Sequence, residues 1–330
     1  MQLHYFDDLA DFRGESADWL GFILSIKQAG KARLRVNSAR NWHLRVVFDK
    51  QPLLWAHMPE LDYQVLRLYR QLPQQLELLP SMPAAYVYQA QALAQQAQRQ
   101  HYLRWFAHQL QTRPNLCLRD GHAVLHWASQ QDCPVHYLMR RRPCDWQAAM
   151  SQHERDFSLA VLLELDWGLC GNGSIVPLKA SSPAGHGRLK WWRKQARQGK
   201  LPPILLWRIA ALDVWLILDG HLRLQACLEE GIAPDYVLLD SYIEQRYASD
   251  TRAAQHIARQ VELQAGRVAQ GKASPQSLAN MQAHLAAAFD DRPARRFVSY
   301  ASAGLCVTVW QQEVDNFLQQ HRDASWFQLD

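Results

Sequence analysis

Nowhere in these 330 residues do apolar side chains run unbroken for the roughly 18 positions that a membrane-spanning helix needs. No two cysteines stand as CxxC. Cys117, Cys133, Cys144, Cys170, Cys227 and Cys306 are scattered singly, which argues against a zinc ribbon or a disulfide framework and for reduced thiols used in packing. An excess of one charge is also missing: 36 Lys and Arg against 31 Asp and Glu give a net +5, too small for a global grip on nucleic acid or lipid, so any basic function must be local. Neither GxxxxGK[ST] nor GxGxxG occurs, and no Ser-His-Asp arrangement stands out. The opening MQLHYFDDLADFRGES carries acids where a secretory signal is basic and then apolar. A cytoplasmic location with no membrane partner is the expectation.

What is present is 48% apolar residues, enough for a sizeable core. Periodicity predicts a helix over residues 18–28, strands in KARLRV and HLRVVF, a helix over 60–70 and one long helix over 84–111. NLCLRDGHAVLHW, with Asp120-Gly121 between alternating runs, predicts a hairpin that PVHYLM extends, and residues 145–168 read as a helix. Gly171-Asn172-Gly173-Ser174 has linker composition. It sets the expected domains: an α+β unit over 1–170, a small mixed-sheet unit over 174–240 and a mainly helical region over 241–330. Helical segments are expected near 242–264 and 275–289, and the closing stretch from Arg295 reads equally as a strand pair or a helix. Cys117, His122, His126, Cys133 and His136 crowd together but fit no zinc spacing, so no metal site is expected there.

The most informative stretch is LILDGHLRLQACLEEG, residues 216–231. If 214–218 is a strand and 222–230 a helix, Gly220 lies at a helix entrance. The first N–H groups there have no partner within the helix and form a ready anion site. His221 and Arg223 stand on the first turn, and the Arg223 fork suits phosphate. Just upstream, Arg188, Lys190, Arg193, Lys194, Arg197 and Lys200 fall in thirteen residues without an acid, preceded by Ser181-Ser182-Pro183-Ala184-Gly185-His186-Gly187. Such a loop is able to close over a ligand. Ser181, Ser182, Arg188, Lys190, Arg193, Gly220, His221 and Arg223 are therefore the candidate phosphate- or nucleotide-binding residues. The structural alternatives are that Asp219 caps the helix, that Arg223 pairs with Glu229, Glu230 or another acid, and that the basic run is a solvated face.

PPILLWRI, a strand, then DGHLRLQA entering a helix, then a further strand resembles the ParB/sulfiredoxin-like domain, over about residues 174–240. The resemblance implies that Gly220-His221-Leu222-Arg223 is a G-x-x-R motif gripping the phosphates of a nucleotide or a DNA backbone. ATP or CTP with Mg2+ is then the implied cofactor, and phosphotransfer or hydrolysis the implied reaction. His221 stands where sulfiredoxins carry their cysteine and where the chromosome-partitioning branch has a glutamate. No carboxylate occupies the 179–188 loop, where the serine kinase branch keeps its base. The candidate catalytic residues are accordingly His186, Asp219 and His221. Two other readings stand beside this one: a non-enzymatic protein of the immunity or adaptor type, which binds a protein partner and keeps the fold as a scaffold, or a DNA-binding or nuclease protein. The expected fold class is α+β, a small mixed-sheet unit flanked by an N-terminal α+β domain and a mainly helical C-terminal region.

Overall fold

The computed structural model describes residues 2–6, 21–40, 42–58, 65–73, 75–113, 115–128, 162–166, 175–212, 214–245, 251–288, 294–299 and 301–321. Within them the chain is α+β, with seven helices and two mixed sheets. The first sheet contains β1 (Gln2–Phe6), β2 (Gly21–Ile26), β7 (Gly121–Ala128), β9 (Ile175–Val176), β10 (Ile204–Ile209), β11 (Val214–Asp219) and β12 (Tyr236–Gln245), in the order β1-β2-β7-β12-β10-β11-β9. β10 runs parallel to β12 and antiparallel to β11, which in turn runs parallel to β9. The second sheet has β3 (Leu34–Ser38), β4 (Leu44–Phe48), β5 (Gln51–His57), β6 (Val65–Arg70), β8 (Leu162–Asp166) and β14 (Ala301–Ala303), in the order β14-β3-β4-β5-β6-β8.

Continuous apolar runs form β10 and β11 because both faces of this part of the sheet are covered. Leu205, Trp207 and Ile209 enter one core with Val214, Leu216 and Leu218, whereas Ile204 and Leu206 enter a second with Trp215 and Ile217. α3 (Gly187–Arg197) adds Leu189 and Trp192 to the first core, and α4 (His221–Glu230) adds Leu224 to the second. Strand alternation thus feeds two cores, while α3 and α4 also pack on each other. Gly231, at φ 65°, lets α4 end in a Schellman turn, with Gly231 N–H donating to the Leu228 carbonyl and Ile232 N–H to that of Cys227 at 2.9 Å. On the second sheet, α7 (Val307–Gln320) packs Trp310, Val314 and Phe317 against Trp55 and Tyr69. Trp55 Nε1 donates to Glu313 at 2.7 Å and Trp310 Nε1 to the Leu44 carbonyl at 2.9 Å, so both indoles are satisfied while buried.

Two compact units emerge: residues 1–242 with 297–330, and residues 243–296. The second contains α5 (Thr251–Ala269) and α6 (Pro275–Ala288), a packed pair whose contact includes Gln264 Nε2 donating to Ser277 Oγ at 2.8 Å.

Several expectations are corrected. β2 is a strand, paired with β1 on one side and β7 on the other, where a helix over 18–28 was predicted. Residues 65–70 and 162–166 are likewise strands, paired with each other as β6 and β8. The long helix is broken into α1 (Ala84–Gln91) and α2 (Gln95–Thr112). Asp120-Gly121 does not close a hairpin: residues 115 and 116 accept backbone bonds from Arg33 and Leu34, and β7 pairs with the distant β2 and β12. The first sheet also runs through the boundary expected at 171–174, since β7 and β12 are hydrogen-bonded neighbours. Residues 242–245 continue β12 instead of opening a helix, and the closing stretch holds both β13 (Ala294–Phe297) with β14 and the helix α7. PVHYLM, the linker Gly171–Ser174 and most of 145–168 lie outside the described residues.

Candidate functional site

β11 delivers Asp219 to the edge of the core and the chain turns at Gly220, φ 109°, directly into α4, whose first internal bond runs from Leu224 N–H to the Gly220 carbonyl at 2.9 Å. Glycine is required twice over. The left-handed φ disfavours any side chain, and a Cβ added at Gly220 would stand 2.9 Å from Arg223 Nη2 and 3.2 Å from Ile204 Cγ1. The arginine of the motif therefore lies against the glycine of the motif.

Arg223 is 2% exposed, and its Nη2 donates to Asp219 Oδ2 at 2.8 Å. The Trp192 ring of α3 covers it, 5.4 Å from the guanidinium carbon to the ring centroid. Asp219 does not cap α4, because the N-cap is Gly220 and no side chain bonds there; its carboxylate goes to Arg223 instead. The basic face of α3 meets the C-terminal acids of α4. Arg193 bonds Glu229 at 3.2 Å and also Glu230, while Arg197 bonds Glu230 at 2.7 Å. Hydrogen bonds from Arg193 and then Arg197 hold the Glu230 carboxyl below its ordinary range. Arg188 donates to the Met82 carbonyl and lies 4.8 Å over both Trp191 and Trp192, with desolvation lowering its pKa first and Arg223 second.

The upstream loop is latched. Gln225 Oε1 accepts from Ser182 N–H at 2.9 Å, and Gln225 Nε2 donates to the Ser182 carbonyl at 2.8 Å and to Glu229 at 2.9 Å. His186 is the N-cap of α3, its Nδ1 accepting from Leu189 N–H at 3.3 Å. Ser181 and Lys190 are exposed. The positions singled out from sequence are thus brought together, but mostly onto one another. Two participants were missed, Gln225 and Trp192; the adjacent Trp191-Trp192 in a basic helix was the available signal.

His221 Nε2 accepts a hydrogen bond from Leu178 N–H at 3.1 Å. Desolvation, then Lys179 and Arg223, push its pKa down to about 3, so the ring is neutral, with one nitrogen engaged, and is unsuited to relay protons at pH 7. His57, stacked on His43 at 5.5 Å, is pushed to about 4 by desolvation, then by His43 and Arg67. Each ring regains an ordinary pKa near 6.5 on unfolding, so between about 6.5 and 4 the unfolded chain binds more protons. Stability from both is full above 6.5 and falls as the pH drops through that window. Urea unfolding at pH 7 and at pH 4.5 should show His221→Gln losing about 2–3 kcal/mol less than wild type over the interval. An identical loss in the two proteins would remove His221 from the account.

The implied nucleotide does not fit these residues as they stand: Arg223, Arg193 and Arg197 are neutralised by Asp219, Glu229 and Glu230. Among the described residues no group of three or more His, Cys, Asp and Glu side chains converges as a metal site would require, and no helix is long and apolar enough to cross a membrane. Comparison with protein-family models, with curated proteins and with solved structures returns no match.

Proposed function

We propose that this protein is a non-enzymatic binding protein of the immunity or adaptor type, in which about residues 174–240 act as a ParB/sulfiredoxin-like scaffold for engaging a protein partner. The carrying observation is the 2.8 Å bond between Arg223 and Asp219, with Arg223 only 2% exposed. A phosphate grip needs that guanidinium, and here it satisfies an acid four residues away. The latch from Gln225 to Ser182 supports the same reading, since it fixes a loop that a nucleotide enzyme would close and open.

Binding of a nucleotide or other phosphate ligand, with ATP- or CTP-dependent chemistry, is the second reading. It is favoured by the glycine turn into the α4 N-terminus, and it requires ligand oxygens to displace Asp219. A melting screen with ATP and CTP, with and without Mg2+, separates the two. No shift that depends on Arg223 is expected beyond a salt-matched control. A saturable shift in wild type that disappears in Arg223→Lys would overturn the scaffold reading in favour of the second. DNA binding, the third possibility, has Lys190, Lys194 and Lys200 exposed near α3, and steep weakening of binding with salt is its signature.

A further inference from the structure

Away from the α4 entrance, the turn before β3, the segment before β7 and the edge strand β14 enclose an open cleft of about 500 Å³. Its walls bring together Lys31, Arg35, Arg119, Asp120 and Ser302, and a narrower crevice sharing Arg35 and Arg119 continues inward toward Ser299. We propose that this cleft is a binding site for a small molecule carrying an oxyanion, phosphate or carboxylate. The inference does not rest on the reading of Gly220–Arg223, which lies on other elements.

Among the described residues that line the cleft, three cations stand with one carboxylate, and that carboxylate is engaged, since Asp120 Oδ1 accepts from Ala29 N–H at 2.7 Å. Arg119 Nη2 donates to Ser302 Oγ at 2.9 Å, which holds the guanidinium at the wall instead of letting it range in solvent. Arg35 is fixed from the other side, its Nη2 donating to the Asp49 carbonyl at 2.7 Å, and its buried Nε has no hydrogen-bond partner among the described residues. The nearby Asp49 carboxylate is held by Arg33 through two bonds of 2.9 and 2.8 Å, and Arg35 acts on it only through space. A guanidinium held in place loses little freedom on meeting an oxyanion, and paired forks with a hydroxyl beside them are the donors such a group takes. The volume lies in the range of small-ligand sites and exceeds what a bare ion fills, so the oxyanion is the head of a larger molecule.

Calorimetric titration of the full chain with inorganic phosphate and with citrate, against a sodium chloride control of equal ionic strength, tests the site. Saturable binding of at least one is expected, and which of them binds distinguishes phosphate from carboxylate. Arg119→Gln should weaken it about tenfold or more, as expected for loss of a charge-assisted bond, and the exposed Lys31→Gln by a smaller factor. The Lys31 variant keeps the test open if loss of the Arg119–Ser302 bond impairs folding. Binding absent for both anions, equal in wild type and both variants, or lost with Arg223→Lys while surviving Arg119→Gln, overturns the proposal.

Discussion

Asp219→Ala should lower the stability of the folded chain by about 3–5 kcal/mol, read from the urea midpoint at constant slope. The loss follows from what remains. Arg223 has 2% exposure, with Gly220 against one side and the Trp192 ring on another, so its guanidinium cannot swing into water when the carboxylate is removed. Truncating one member of a buried pair leaves an uncompensated charge, which costs far more than the pair contributes over an apolar replacement. Asp219→Asn keeps an acceptor at the same place and should fall between wild type and alanine. The double variant Asp219→Asn with Arg223→Met should recover part of the loss, because no charge is then stranded. A catalytic Asp219 makes the opposite forecast, since a base at an enzyme's site is removed with little effect on folding. An alanine variant that unfolds at the wild-type urea concentration would dismiss the structural role.

The elements around that pair were the most legible part of the chain. ILLWRI, VWLILD and the helix closing on Gly231 are bounded by proline, glycine and charge, and nothing distant is needed to define them. Val65–Arg70 and Gly21–Ile26 failed for a tertiary reason. Short mixed runs such as VLRLYR and GFILSI fit either period, and only the partners β5 and β8, or β1 and β7, make them strands. Arg119-Asp120-Gly121 misled in a similar way: its turn chemistry is real, but Asp120 bonds Ala29 and the strand after it looks elsewhere for neighbours. At the candidate site the residue types were readable and their pairing was not. The partner of Arg223 lies four positions away and was within reach of sequence reasoning, although helix-end acids or a capping Asp219 were the structural alternatives weighed. The partners of Arg193 and Arg197 lie 37 and 33 positions away, across the packing of α3 on α4. A run that is basic in one dimension is thereby neutralised in three.

The same physics acts deeper in the first sheet, where Arg208 of β10 and Asp240 of β12 meet at 3.0 Å with side-chain exposures of 3% and 1%. Parallel register sets Trp207 beside Leu239, so the next position on each strand brings the two charges to the same level. Neither strand is at an edge: β10 lies between β11 and β12, and β12 between β7 and β10. Water cannot reach a residue stranded there without opening the sheet. Asp240→Ala should therefore cost about 3–5 kcal/mol, a large part of the 5–15 kcal/mol typical of a folded domain, and soluble expression at 37 °C should fall with it. Replacing both residues, as Arg208→Met with Asp240→Leu, should return stability to within about 1–2 kcal/mol of wild type, since the apolar pair needs no desolvation of charge. The difference between the double variant and the sum of the singles, measured by urea unfolding, gives the coupling directly. Because both side chains are buried, that coupling should exceed the value for an exposed pair, about 0.2–1 kcal/mol. An Asp240→Ala protein less than 1 kcal/mol weaker than wild type would mean that Arg208 finds another acceptor inside the sheet, and the pair would then matter for register instead of stability.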